Sequence, residues 1–374
     1  MPAPQQSLIV TAPTTALSFS LEPAQNAFHS LVLLSKVEHL SGLSQWVDNT
    51  IRAMSDEEYA RHRLVIIGFY FAIQPQQSWP SFPAYLDHLA SLSPEAIVDR
   101  LLNMYARIPP CNGEEHHEFS DQPLPLDRQV VLATLDNYLN FLYERFTPEG
   151  VEEDIETEAY RLLTDPPMLQ QLLVSHLRHM WTRYLQAEWQ RVQPMLQNAI
   201  DAFAVEDLSD MTRLEAASFV TGQDLEDERW DGVLQQAREI VFVPSAHVGP
   251  YLGRFWHNGT LGIIFGARLP AGTQIQAPDL SRAEIVVRLS ALADDTRLSI
   301  LKLVATAGEM RSQEIMERLE LSQSAASRHL KQLTATGYLS ERRCAGAKCY
   351  RLNADRVDDT LEAIGAFLLG REDR

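Results

Sequence analysis

Gln323, Ser324, Ser327, Arg328 and Lys331 share one side of a short helical pattern that Ser322 opens, while Leu330 and Leu333 turn to the other. Short polar side chains at a helix N-terminus can reach base edges in a major groove, and the helix N-terminus itself favours phosphate. Arginine and lysine add phosphate or guanine contacts. Beyond Gly337 lie Arg342, Arg343 and Lys348, around Cys344-Ala-Gly-Ala347, placed to clasp a nucleic-acid backbone or minor groove. Residues 322–352 hold six basic side chains against one acid, Glu341. A solvated helix face would account for the polarity but not for this local charge of +5. His329 lies in the same run and reads equally as a contact residue or as a buried packing residue.

Other residues could do different chemistry. Cys111-Asn-Gly-Glu-Glu-His-His-Glu118 packs soft and hard metal ligands into eight positions, although adjacent histidines in a polar loop rarely aim at one ion. His176 and His179 are spaced i, i+3; His176 falls on an apolar seam, which favours a core histidine over a ligand. Cys344 and Cys349 could form a redox or metal pair, and the plainer reading is two small half-buried residues on a hairpin. The acid-rich stretch from Glu149 to Glu158 reads as the exposed face of a helix with acids in its first turn. Trp46, Phe69, Tyr70, Phe71, Trp79, Trp181, Tyr184 and Trp189 could line an apolar cavity or fill a helical core. No Gly-rich phosphate loop, nucleophile elbow or His-Glu-x-x-His run occurs, so no enzyme and no cofactor is expected.

The elements that must position these groups divide by charge. The chain has 374 residues, 32 basic and 50 acidic side chains and a formal net charge of −18. Residues 279–374 hold 15 of each sign, so residues 1–278 carry the whole excess. All 20 prolines and all six tryptophans also precede Asp279. This shift predicts a helical α+β domain over 1–270, a linker over 271–278 and a second domain over 279–374. The fold class expected is mainly α with small β. In the first part, helical spacing runs through Glu57 to Ile73, Ala96 to Ala106, Gln129 to Arg145 and Met168 to Ile200, with Pro194 expected to kink or end the last. Strand signals fall at Ala16 to Leu21, Glu239 to Pro244 and Thr260 to Arg268, with His257-Asn-Gly-Thr260 as a hairpin turn. No apolar run reaches the roughly 18 residues of a membrane span. Lys36 is the first basic residue, so no secretory signal is expected, and three cysteines without a disulfide framework fit a reducing cytoplasm.

In the second part, Ser281-Arg-Ala-Glu284 is a capping box, Asp294 and Ser312 open the next two helices, and Gly308 and Gly337 are stops. Two strands, Tyr338 to Arg343 and Lys348 to Leu352, precede a last helix from about Asp355 to Leu369. Four helices, a β-hairpin and a helix is the order of a winged helix-turn-helix. Leu292-Ala-Asp-Asp-Thr-Arg-Leu-Ser-Ile-Leu301, Leu321-Ser-Gln-Ser-Ala-Ala-Ser-Arg-His-Leu-Lys-Gln-Leu333, Gly337-Tyr-Leu339 and Tyr350-Arg-Leu352 resemble the ArsR-type family of bacterial repressors over roughly residues 282–370.

The resemblance implies a cytoplasmic transcriptional regulator, by family habit a repressor, that binds a pseudo-palindromic operator as a homodimer. Ser322, Gln323, Ser324, Ser327, Arg328, His329, Lys331, Arg342, Arg343 and Lys348 would face double-stranded DNA. Ile285, Leu289, Leu361, Ile364, Phe367 and Leu368 would form the dimer seam. The family's metal sites are not inherited: Glu309 to Glu314 lacks a thiolate, and the last helix lacks histidine. Input would then fall to the N-terminal domain, with a small-molecule effector as one form. Two alternatives stay open: a protein-interaction module with secondary DNA binding, and a metal sensor on the Cys111–Glu118 loop.

Overall fold

The computed structural model describes residues 16–40, 43–110, 123–147, 150–223, 225, 228–268, 270, 282–344 and 347–369. The 271–278 linker, Ser281 and the Cys111–Glu118 loop lie outside these residues. Helix accounts for 63% of the structure, in keeping with a mainly α class. The helices are α1 (Pro23–Leu34), α2 (Gln45–Ala53), α3 (Asp56–Gly68), α4 (Tyr70–Ile73), α5 (Phe82–Ser91), α6 (Pro94–Tyr105), α7 (Arg128–Val131), α8 (Leu135–Tyr143) and α9 (Glu153–Leu163). After them come α10 (Pro166–Met180), α11 (Gln186–Ala204), α12 (Arg213–Thr221), α13 (Glu228–Gln236), α14 (Arg282–Leu292), α15 (Asp295–Ala307), α16 (Ser312–Leu319), α17 (Gln323–Ala335) and α18 (Ala354–Leu369). The strands are β1 (Ala16–Phe19), β2 (Glu239–Ser245), β3 (Gly253–His257), β4 (Thr260–Gly266), β5 (Glu309–Arg311), β6 (Leu339–Cys344) and β7 (Ala347–Leu352).

The first sheet has the order β1-β2-β4-β3. β1 and β4 both run parallel to β2, while β3 returns antiparallel to β4 through Asn258 and Gly259, whose φ values of 49° and 83° suit a tight hairpin turn. Central β2 is apolar at every position from Ile240 to Val243 because both faces are covered. Ile240 and Phe242 join Phe203, Val220, Leu261 and Phe265 on one face; Val241 and Val243 meet Phe255 and Ile264 on the other. Gly262 admits this second layer. A methyl there would lie 2.1 Å from the Phe255 ring, so Gly262→Ala is expected to lower stability by about 1–3 kcal/mol, read as a lower denaturant midpoint.

The largest core is helical and gathers Phe28 and Leu31 of α1, Val65 of α3, Leu86 of α5, Leu101 of α6 and Leu173 and Leu177 of α10. Phe69 is buried in it, and Trp46, Tyr70, Phe71, Trp79, Trp181 and Tyr184 pack against it, so these aromatics fill the core. The long helical pattern expected over 168–200 divides, but not at Pro194. The break is a π-helical turn, Trp181–Leu185, and α11 continues through the proline. Pro194 is exposed, which leaves the freed carbonyl of Gln190 open to water instead of stranding it in the core.

Three buried ionisable groups, two imidazoles and one carboxyl, set opposite pH dependences. His62 Nδ1 lies 3.1 Å from His176 Nε2, and His62 Nε2 lies 2.9 Å from Leu31 O; burial holds both imidazoles below their usual range. They therefore contribute stability above about pH 6.5 that fades as pH falls. Glu156 departs from the exposed acidic face expected of its segment. It is buried, its Oε2 accepts from Tyr138 Oη at 2.8 Å, and burial raises its carboxyl to about 7. Its contribution is present below about pH 4.5 and is lost as pH rises through 7. Glu156→Gln should gain up to about 3 kcal/mol over the wild type between pH 5 and pH 8, seen as a widening gap in melting temperature.

Candidate nucleic-acid interface

Residues 282–369 build a compact helical unit around one apolar cluster: Ile300, Leu301 and Val304 of α15, Ile315 of α16, Leu330 and Leu333 of α17, Tyr338, and Tyr350 of β7. Local chemistry fixes each helix. Asp294 caps α15 by accepting from Arg297 N at 2.9 Å. The buried Arg297 guanidinium turns back to the last carbonyls of α14, with Nε on Ala291 O at 2.5 Å and Nη2 on Ser290 O at 2.8 Å. Ser322 caps α17, its Oγ accepting from Ala325 N at 3.3 Å. At the other end Gly337, φ 79°, closes a Schellman motif: Tyr338 N–H reaches Leu333 O and Gly337 N–H reaches Thr334 O, both at 2.9 Å. The Tyr338 hydroxyl then donates to Thr360 Oγ1 of α18 at 3.0 Å.

These constraints turn α17 so that one face is fixed and the other free. Ala326, Leu330 and Leu333 are buried, whereas Ser322, Gln323, Ser324, Ser327, Arg328 and Lys331 are exposed. His329 differs. It is 9% exposed, its Nδ1 lies 3.8 Å from Asp294 Oδ1, and burial lowers its pKa, so the imidazole packs against the start of α15 away from the open face. Partial burial, with the positive charges of Lys36 and Lys348 nearby, pushes the Lys331 ammonium down.

β6 and β7 pair antiparallel next to α17, with Arg342 opposite Cys349 and Arg343 opposite Lys348. The side chains of Arg342, Arg343 and Cys344 lie outside the described residues. Lys348 is exposed and pairs with Glu341 at 2.9 Å. A third strand, β5, completes the sheet in the order β5-β7-β6; its three residues carry no strand signal in the sequence. Cys349 corrects the expectation of an inert half-buried residue, being fully buried and disulfide-bonded.

Among the described residues no group of three histidine, cysteine or carboxylate side chains is placed to hold a metal. His176 is a buried core residue, and His179 is half-exposed with Nε2 2.7 Å from Glu58 Oε1. No described helix is long and apolar enough to cross a membrane.

Four helices, a three-stranded sheet with a β6–β7 hairpin and a closing helix define a winged helix-turn-helix of the kind found in transcription regulators. Residues 294–341 match the family described as bacterial regulatory protein, arsR family. The transcriptional activator HlyU of Vibrio cholerae is 35% identical over 94 residues, 25% of this chain and 86% of that protein. The arsenic resistance transcriptional regulator ArsR1 of Pseudomonas putida is 45% identical over 64 residues, 17% of this chain and 50% of the relative. For the arsenical resistance operon repressor of Staphylococcus aureus the identity is 30% over 85 residues, 23% of this chain and 81% of that protein. The chain belongs to the arsR family of bacterial regulatory proteins, and the remainder is an extension to the family's domain.

Proposed function

We propose that the protein is a homodimeric transcription regulator that seats α17 in the major groove of a pseudo-palindromic operator, with residues 279–374 as the DNA-binding domain. The carrying observation is the free face of α17: Ser322, Gln323, Ser324, Ser327, Arg328 and Lys331 point outward while Ala326, Leu330 and Leu333 anchor the opposite side. Arg342, Arg343 and Lys348 would lie along the backbone beside it. Besides its partial burial, Lys331 feels the positive charges of Lys36 and Lys348 in the free protein, a repulsion that a phosphate would relieve. His329 serves in this reading by seating the helix and not by touching a base.

The acidic residues 1–270 form the input domain; Lys36 of that body lies near Lys331 of α17, while the body's −18 of formal charge would oppose phosphate. A small molecule or a partner would be the signal, with the protein acting in the cytoplasm. Repression is the proposed sign. The Staphylococcus aureus relative is named a repressor and the Vibrio cholerae relative an activator, so a promoter–reporter fusion with and without the gene decides it.

Gel-shift titration of the full-length protein on the DNA upstream of its own gene tests the reading. A specific complex at physiological salt, outcompeting random duplex by about a thousandfold, supports it; equal affinity for random DNA removes it.

A further inference from the structure

The N-terminal body holds a constellation that DNA binding does not use. Ser30 on α1, His247 just past β2 and Glu188 in the first turn of α11 lie in line. Ser30 Oγ is 2.8 Å from His247 Nδ1, and His247 Nε2 is 3.1 Å from Glu188 Oε1. The first two are separated by 217 positions, so no sequence spacing announces them. Ser30 and His247 are buried at 1% and 2% exposure.

The proton positions follow from the neighbours. Arg191 forks onto Glu188, Nε to Oε2 at 2.8 Å and Nη2 to Oε1 at 2.6 Å. Burial alone would raise this carboxyl, but the hydrogen bonds from His247 and Arg191 outweigh it and hold the pKa down to about 2. An ionised carboxylate accepts only, so His247 Nε2 carries the ring proton. Burial disfavours a second one, so Nδ1 is left bare toward the Ser30 hydroxyl. A bare imidazole nitrogen then faces the serine, as a general base requires, although the two ring nitrogens are exchanged relative to the Ser-His-Asp triad, with Nδ1 on the serine and Nε2–H on the carboxylate.

Its surroundings fix it further. The Trp46 indole stacks on the His247 ring with centroids 4.4 Å apart, and Trp46 Nε1 donates to Tyr184 O at 3.1 Å, inside the π-helical turn. π-turns of this kind concentrate at functional sites. His247 also follows the carboxyl end of β2, the edge at which sheets with parallel strands hold their ligands. Ser30 Oγ also donates to Asn26 O at 2.8 Å, so this carbonyl competes with His247 Nδ1 for its single proton.

We propose that Ser30 is an activated nucleophile that accepts an acyl group from an ester, with His247 as its base and Glu188 as the positioning residue. Ser30 Oγ bonds to the ester carbonyl carbon as its proton passes to His247 Nδ1. The ester C–O bond then breaks and the leaving alkoxide takes that proton, leaving an acyl-serine and a neutral imidazole. Water cleaves the acyl-serine along the same path and releases the carboxylic acid. Trp46 covers the imidazole, and Ser30 and His247 are buried, so acylation requires a local opening of this packing. The inference concerns the N-terminal body alone and stands independently of the operator reading.

The test is a fluorophosphonate probe on the native full-length protein, followed by peptide mass mapping. Phosphonylation confined to Ser30, lost in Ser30→Ala and slowed at least about tenfold in His247→Gln, is the expected result. Glu188→Gln should slow labelling and Glu188→Asp restore part of it, while a merely structural carboxylate would leave the rate of folded protein unchanged. Should the His247 variant fail to fold, Trp46→Ala supplies a second arm, with faster labelling of Ser30 expected. A native protein that stays unlabelled at Ser30, or equal rates in wild type and Glu188→Gln, overturns the proposal.

Discussion

Arg328→Ala should weaken operator binding by about ten- to a hundredfold, the loss that follows removal of one arginine from a groove or phosphate contact. Arg328 lies on the exposed side of α17 between buried Ala326 and buried Leu330, and among the described residues no carboxylate pairs with it. Its removal therefore leaves no orphaned partner and costs the fold little, so the loss reports on DNA. Fluorescence anisotropy at several salt concentrations separates two roles. A phosphate contact lowers the salt slope by about one and weakens all sequences alike. A guanine contact leaves the slope and relaxes preference at one base pair. Undiminished affinity in Arg328→Ala and in the Arg342→Ala, Arg343→Ala double variant would reject this interface.

The second large effect concerns assembly. α14 and α18 pack together, yet Val286, Leu289, Leu361, Phe367, Leu368 and Leu369 remain exposed, at 40% to 71%. Leu361, Ile364 and Leu368 share one stripe of α18 by helical spacing, with Phe367 beside it. Ile285, expected in the same seam, is instead buried within the chain. In the homodimer proposed above, these exposed apolar side chains would meet their copies in a second chain, as a two-fold operator reader requires. Phe367→Glu with Leu368→Glu should convert dimer to monomer in sedimentation analysis. Operator affinity should fall by at least about a hundredfold, because two half-sites then bind separately. A wild-type protein that sediments as a monomer while binding its operator would contradict this arrangement.

The winged helix-turn-helix was legible because its signals act within a turn of their own position. Asp294, Ser322, Gly308 and Gly337 cap or stop helices through bonds to residues three to five away, and the apolar spacing of α15 and α17 needs no partner to be read. β5 escaped because three residues next to a glycine carry no period. His329 stood on the border between the two faces of α17, and only the approach of Asp294 and Arg297 turns it inward. In the N-terminal body, helices and strands were visible one at a time, but their partnership was not. Glu156 looked like any acid in a first helical turn until α8 brought Tyr138 against it. Pro194 read as a break because the sequence does not reveal which carbonyls face water. The contacts of His62 with His176, and of Ser30 with His247, join elements more than a hundred positions apart, and no spacing rule spans that distance.

The parallel pairing of β1 with β2 has a consequence for biosynthesis. Ala16 takes its place beside Glu239, some 220 residues later in the chain. At translation rates of about 5–20 residues per second, the first strand must wait on the order of 10–45 s for its partner to emerge. Throughout that interval Phe19, which stacks on Phe203 and Phe242 in the finished fold, has nowhere to bury its ring. The winged helix closes through mostly near neighbours and folds quickly once made. During that wait the nascent regulator offers β1 and Phe19 to chaperones and proteases, and deleting β1 should relieve the wait while uncovering one edge of β2.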